Sequence, residues 1–177
     1  YYGPDALVEA HKGAVDGDVI TLSAGEFNAS EISKAVTIRG EGMDKTVITN
    51  GGNISFKIPG GTSYPLSLEG LVVSTSDYAP SISGTTGAET VLISKCRFYS
   101  KSHTTDMNIS KCKAVIIQSI IDRGGYVIMA LQNADVTCIN SILSPGLSYN
   151  ATGKYDLQNC FIEGKLDVAY SSIKNCI

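Results

Sequence analysis

The 177-residue chain suits one domain of ordinary size, able to bury roughly 70% of its extended-chain surface without a disulfide scaffold. Apolar residues make up 43% and charged residues 18%, which excludes an intrinsically disordered chain. A net charge of −3 argues against an electrostatic nucleic-acid binder, and no apolar run approaches the ~20 residues of a membrane-spanning helix.

The first element is a short amphipathic helix, expected over residues 4–15. Pro4 opens it, Asp5 and Glu9 lie toward its positive end, and Leu7, Ala10, Ala14 and Val15 share a face. Asp16-Gly17-Asp18 then makes a turn, Val19 to Leu22 reads as a strand, and Ala24-Gly25 ends it.

Beyond this point the chain holds only short alternating strands. A unit recurs in which two alternating apolar positions precede a turn residue and a further apolar strand. The copies are Val36 to Gly40, Leu66 to Gly70, Val91 to Lys95, Val115 to Ser119, Val136 to Asn140, Tyr155 to Asn159 and Ser171 to Asn175. The turn residues are spaced by 30, 25, 24, 21, 19 and 16, and seven copies near one period indicate a solenoid. No half of the unit is helical, so leucine-rich, ankyrin and tetratricopeptide arrays are excluded. About 22 residues with three short strands per coil specify a parallel β-helix.

Like positions in successive coils stack at ~4.8 Å. The turn column runs Gly, Gly, Lys, Ser, Asn, Asn, Asn, in which Gly and Asn tolerate left-handed backbone. Asn140, Asn159 and Asn175 are therefore read as a structural ladder. The next column reads Glu41, Leu71, Cys96, Ile120, Ser141, Cys160 and Cys176; five of the seven are apolar or thiol, which makes an inward stack of Leu, Cys and Ile. The five cysteines, at 96, 112, 138, 160 and 176, form no CxxC motif and are read as buried thiols, so no metal site is expected. Cys160 and Cys176 fall on adjacent rungs, within the Cα range of a disulfide.

The opening residues carry a resemblance. Ala6 to Ala10, Gly17 to Leu22, Gly25-Glu26-Phe27, Lys34 to Gly42 and Thr46-Val47-Ile48 resemble the right-handed parallel β-helices of the pectin lyase-like superfamily. The motif covers residues 4–48, and the later coils match by pattern. The expected fold is all-β, a right-handed, single-stranded parallel β-helix of about seven coils over 18–177, forming one domain under a short N-terminal capping helix. The chain starts without Met and stops at Ile177 inside a strand-like pattern, so it is expected to be part of a longer chain. Its C-terminal end is expected to be covered by another domain or a second copy.

The resemblance implies an extracellular or cell-surface protein, with polysaccharide as the partner to expect. The motifs of the superfamily's enzymes are not matched. There is no Asp-Asp pair and no Gly-His-Gly for paired-carboxylate hydrolysis, and the later acids are scattered, about one per coil. The densest ionisable cluster is His103, Asp106, Lys111, Lys113, Asp122 and Arg123. Lys113 and Arg123, with Asp106 and Asp122, are the catalytic candidates for a lyase, which needs a base and a cation to stabilise an enolate. Tyr126, Tyr149 and Tyr170 are candidates for sugar stacking on one face. Three functions follow: non-catalytic glycan binding or structure, which is favoured; a polysaccharide lyase on acidic glycans, for which calcium would be the cofactor; and an adhesive stalk without sugar affinity.

Overall fold

The computed structural model describes residues 1–100, 107–122, 130–144, 147–148, 154–163, 166–167 and 170–177, with backbone alone for 130–132, 147–148, 166–167 and 170–171. The chain forms a parallel β-solenoid under one helix. The helix, α1, spans Ala6–Gly13. It is shorter than the expected 4–15 because Ala14 is already extended, with φ −71° and ψ 160°. Ala6, Leu7 and Ala14 are buried against the first coil, whereas Val15 is 65% exposed and does not join that face.

The first coil holds β1 (Val19–Thr21), β2 (Gly25–Asn28) and β3 (Glu31–Ile32). The second holds β4 (Thr37–Arg39), β5 (Thr46–Asn50) and β6 (Ser55–Lys57), and the third β7 (Leu66–Glu69), β8 (Val72–Thr75) and β9 (Ser81–Ser83). The fourth holds β10 (Thr90–Ser94), β11 (Arg97–Ser100) and β12 (Asn108–Ser110), and the fifth β13 (Lys113–Ile117), β14 (Ile120–Asp122) and β15 (Ala130–Gln132). Next come β16 (Asp135–Ile139), β17 (Ile142–Leu143) and β18 (Leu147–Ser148), then β19 (Lys154–Gln158), β20 (Phe161–Ile162) and β21 (Leu166–Asp167), and finally β22 (Tyr170–Lys174).

Every third strand stacks on its predecessor. The first sheet runs β1-β4-β7-β10-β13-β16-β19-β22, the second β2-β5-β8-β11-β14-β17-β20, and the third β3-β6-β9-β12-β15. All pairings are parallel, so the order of the chain is the order of the stack. The solenoid makes about five regular turns rather than the seven expected. The later coils are shorter, and their third side is a separate two-stranded sheet, β18-β21, outside the third sheet.

Register places columns of inward residues in each sheet, two of them in the first, where Leu66, Val91, Ala114, Val136 and Tyr155 form a second buried column. In the first sheet Ile20, Ile38, Leu68, Ile93, Ile116, Cys138 and Leu157 pair in succession. In the second, Phe27, Ile48, Val73, Phe98, Ile121 and Leu143 do the same. Ile32, Phe56, Ile82 and Ile109 line the third. All of these residues are buried, and they fill the bore of the solenoid with close-packed aliphatic and aromatic side chains.

The corner between the first and second sheets corrects one expected register. Ile117 pairs with Ser94 and Ile139, so the fifth coil turns at Gln118, φ 50°, and not at Ser119. Ser119 consequently takes the inward rung, 1% exposed, while Ile120 points outward and is half-buried. Asn140, Asn159 and Asn175 do form the expected ladder. Asn159 Nδ2 donates to Asn140 Oδ1 and Asn175 Nδ2 to Asn159 Oδ1, each at 3.2 Å, and all three residues are left-handed. All five cysteines are free thiols; four are buried as expected, and Cys176 is only partly buried.

Candidate functional site

The residues singled out by sequence do not converge on one place. Lys113 opens β13 on the outer face of the first sheet, in register with Thr90 and Asp135. Asp122 closes β14 on the second sheet, where it is paired with the Arg97 guanidinium. The two candidates therefore lie on different faces. Lys111 is an exposed left-handed turn residue, φ 50°. His103, Asp106, Arg123, Tyr126 and Tyr149 lie outside the described residues, and of Tyr170 only the backbone, which opens β22, is described.

What the fold does assemble is a band on the outer surface of coils two to five, running around the corner from the first sheet to the second. On the first-sheet side, Arg39 and Glu69 are register partners, and Arg39 Nε donates to Glu69 Oε2 at 2.7 Å. Beside them is a notch of about 330 Å³ lined by this pair, Gly40, Glu41, Met43 and Lys95. Gly40 has a packing reason. A β-carbon there would lie 2.5 Å from the carbonyl oxygen of Gly70 and 2.7 Å from Thr46 Cβ, so the close approach of two coils at the corner requires glycine.

Around the corner, β11 places Arg97 and Tyr99 on its outer face while Phe98 and Ser100 point inward. Val72 is in register with Arg97, Ser74 and Asp122 with Tyr99. Val72, Arg97 and Tyr99 line a depression of about 240 Å³. The band thus offers an aromatic ring, apolar patches at Val72 and Met43, two arginine–carboxylate pairs and one further cation, Lys95. Among the described residues Lys95 forms no ion pair. It also holds left-handed backbone, φ 52°, in a column otherwise dominated by Gly and Asn.

Such a surface can hold a polyhydroxylated ligand. Guanidinium N–H groups donate in a fixed fork, carboxylate oxygens accept, and a tyrosine face packs against C–H-rich ring surfaces. The thiols beneath it are not reactive groups. Burial pushes Cys96 up to about 12, and Cys112 likewise to about 12, so both stay protonated at neutral pH. Cys96 Sγ instead donates to the carbonyl oxygen of Ser94 at 3.2 Å. No group of three or more His, Cys, Asp or Glu suited to a metal ion occurs among the described residues.

Sequence reasoning reached Asp122 and passed over Arg39, Glu69, Lys95, Arg97 and Tyr99. A signal was present in Lys95, a lysine standing in a turn column where Gly and Asn are the comfortable residues. Comparison with protein-family models, curated proteins and solved structures gave no match.

Proposed function

We propose that the chain is a secreted or cell-surface β-helix of the pectin lyase-like kind that binds polysaccharide without cleaving it. The observation that carries this reading is the Arg39–Lys95–Arg97–Tyr99 band. There one guanidinium–carboxylate pair on the first sheet, and a second pair with an aromatic face on the next, flank the corner that carries Lys95. Its Glu69 and Asp122 carboxylates are each engaged with an arginine, which suits holding a sugar chain across the coils. Sites built on stacked strands are held by many backbone hydrogen bonds and so present a preformed surface.

Affinity electrophoresis in gels containing a panel of neutral and acidic polysaccharides tests it. The wild-type chain is expected to be retarded by at least one glycan. Tyr99→Ala should weaken that affinity about tenfold, the scale of one lost aromatic contact, and Lys95→Asn, which keeps a residue tolerant of left-handed backbone, should weaken it less. No retardation on any glycan would favour a stalk without sugar affinity. A calcium-dependent rise in ultraviolet absorbance from unsaturated sugar ends would replace binding with lyase activity.

A further inference from the structure

At its N-terminal end the capping helix is held to the first coil by Asn28 Nδ2, which donates to Asp5 Oδ1 at 2.9 Å, and its C-terminal end is fastened there by two polar side chains whose chemistry depends on protonation. Lys34, on the connection from β3 to β4, extends its ammonium across the C-terminal end of α1. There Nζ donates to the carbonyl oxygens of His11 at 2.7 Å, Lys12 at 2.9 Å and Ala14 at 2.7 Å. These are carbonyls that a helix end leaves without intrahelical partners, and the cation also complements the helix dipole. Beside it, the backbone N–H of Ser33 donates to His11 Nε2 at 3.1 Å. That bond exists only while Nε2 carries a lone pair, so it requires the neutral imidazole.

The charged groups facing His11 from the first coil are Lys34 and Glu31, of which Lys34 opposes a second positive charge and Glu31 favours it. Glu31 is itself engaged with Lys57 at 2.5 Å. On α1, Glu9 and Lys12 pair with each other. Of the strands packed on the helix, β1 carries no titratable side chain and β2 only Glu26. Burial first, and Lys34 second, lower the His11 value below the usual 6.5. A folded value below the unfolded one gives stabilisation that is complete above about pH 6.5 and fades as pH falls through the folded value.

We propose that His11 and Lys34 form an acid-released latch that lets α1 lift from the open end of the solenoid. Protonated His11 presents an N–H to the Ser33 N–H and a cation to the Lys34 ammonium, so both fastenings weaken together. Lifting α1 uncovers the edge strands β1 and β2 and the pocket of Leu7, a surface able to pair with further strands.

Hydrogen exchange by mass spectrometry on the intact chain tests this. The amides of residues 6–13 would be compared with those of β7 and β10, at about pH 7.5 and about pH 5, after correction for intrinsic rates. Protection of α1 is expected to fall at least about fivefold on acidification, the scale of one lost hydrogen bond, with β7 and β10 unchanged. His11→Gln keeps a neutral acceptor that cannot be protonated and should leave α1 protection independent of pH. Lys34→Met should lower it at both pH values. Wild-type protection that does not change, or His11→Gln that loses it as the wild type does, would overturn the proposal. Undiminished protection in Lys34→Met would remove Lys34 from the latch.

Discussion

Lys95, Lys111 and Gln118 hold φ near +50°, a region in which an ordinary side chain costs roughly 1–2 kcal/mol. Asparagine bears that conformation more easily, because its short amide bonds locally. At 140, 159 and 175 the amides also bond to one another along the solenoid axis. Gln118 stands one rung before this ladder. Gln118→Asn should therefore both relieve its backbone and extend the ladder to Asn140, raising stability by about 1 kcal/mol and the melting temperature by about 2–4 °C. A melting temperature equal to or below that of the wild type, by differential scanning calorimetry, would show that the ladder carries no such energy. The sequence exposed the three asparagines as structural. It did not expose Gln118, because a single-residue register shift cannot be seen until the strand pairing is known.

At the scale of one element, the corner after this turn explains three of the five cysteines, Cys96, Cys160 and Cys176. Its inward rungs in successive coils are Leu71, Cys96, Ser119, Ser141, Cys160 and Cys176. Each hydroxyl or thiol donates to the carbonyl two residues earlier, as Ser119 Oγ does to Ile117 at 2.8 Å and Cys160 Sγ to Gln158 at 3.4 Å. It also accepts the backbone N–H of the rung before. Cys96 N donates to Ser119 Oγ at 3.1 Å, Ser119 N to Ser141 Oγ at 3.2 Å and Cys160 N to Cys176 Sγ at 3.5 Å. A buried corner N–H needs an acceptor, and a small side chain carrying both a donor and a lone pair supplies it. Serine and cysteine are interchangeable for that duty. Ser119→Ala strips the acceptor from the Cys96 N–H and should cost about 1–3 kcal/mol. Ser119→Cys should cost less than about 1 kcal/mol. Urea midpoints of the two variants decide the matter, and equal losses would refute the ladder. That four of the five thiols are buried was legible from sequence; why Ser and Cys share these rungs was not, since the rung assignment placed Ile120 where Ser119 stands.

Over the whole molecule, stability is a sum of interfaces between neighbouring coils. Leu68 is 1% exposed and pairs in register with Ile38 and Ile93, one in the coil on each side. Leu68→Ala should cost about 2–5 kcal/mol. Hydrogen exchange should speed up most in β4, β7 and β10, and acceleration spread evenly over the chain would contradict a nearest-neighbour stack.

The sequence by itself determined the class of fold, the helix at the N-terminal end, the turn column in six of its seven positions and the burial of four of the five cysteines. Those properties are written in local periodicity and in the residues that tolerate tight turns, which each coil carries for itself. The tertiary structure decided the number of regular turns, the side to which each residue points, and the surface band. Arg39, Glu69, Lys95, Arg97, Tyr99 and Asp122 come from four coils and flank one corner only because strands stack in a fixed register. Coils of unequal length erase that register from the sequence, and a slip of one residue exchanges the inner and outer faces of a strand.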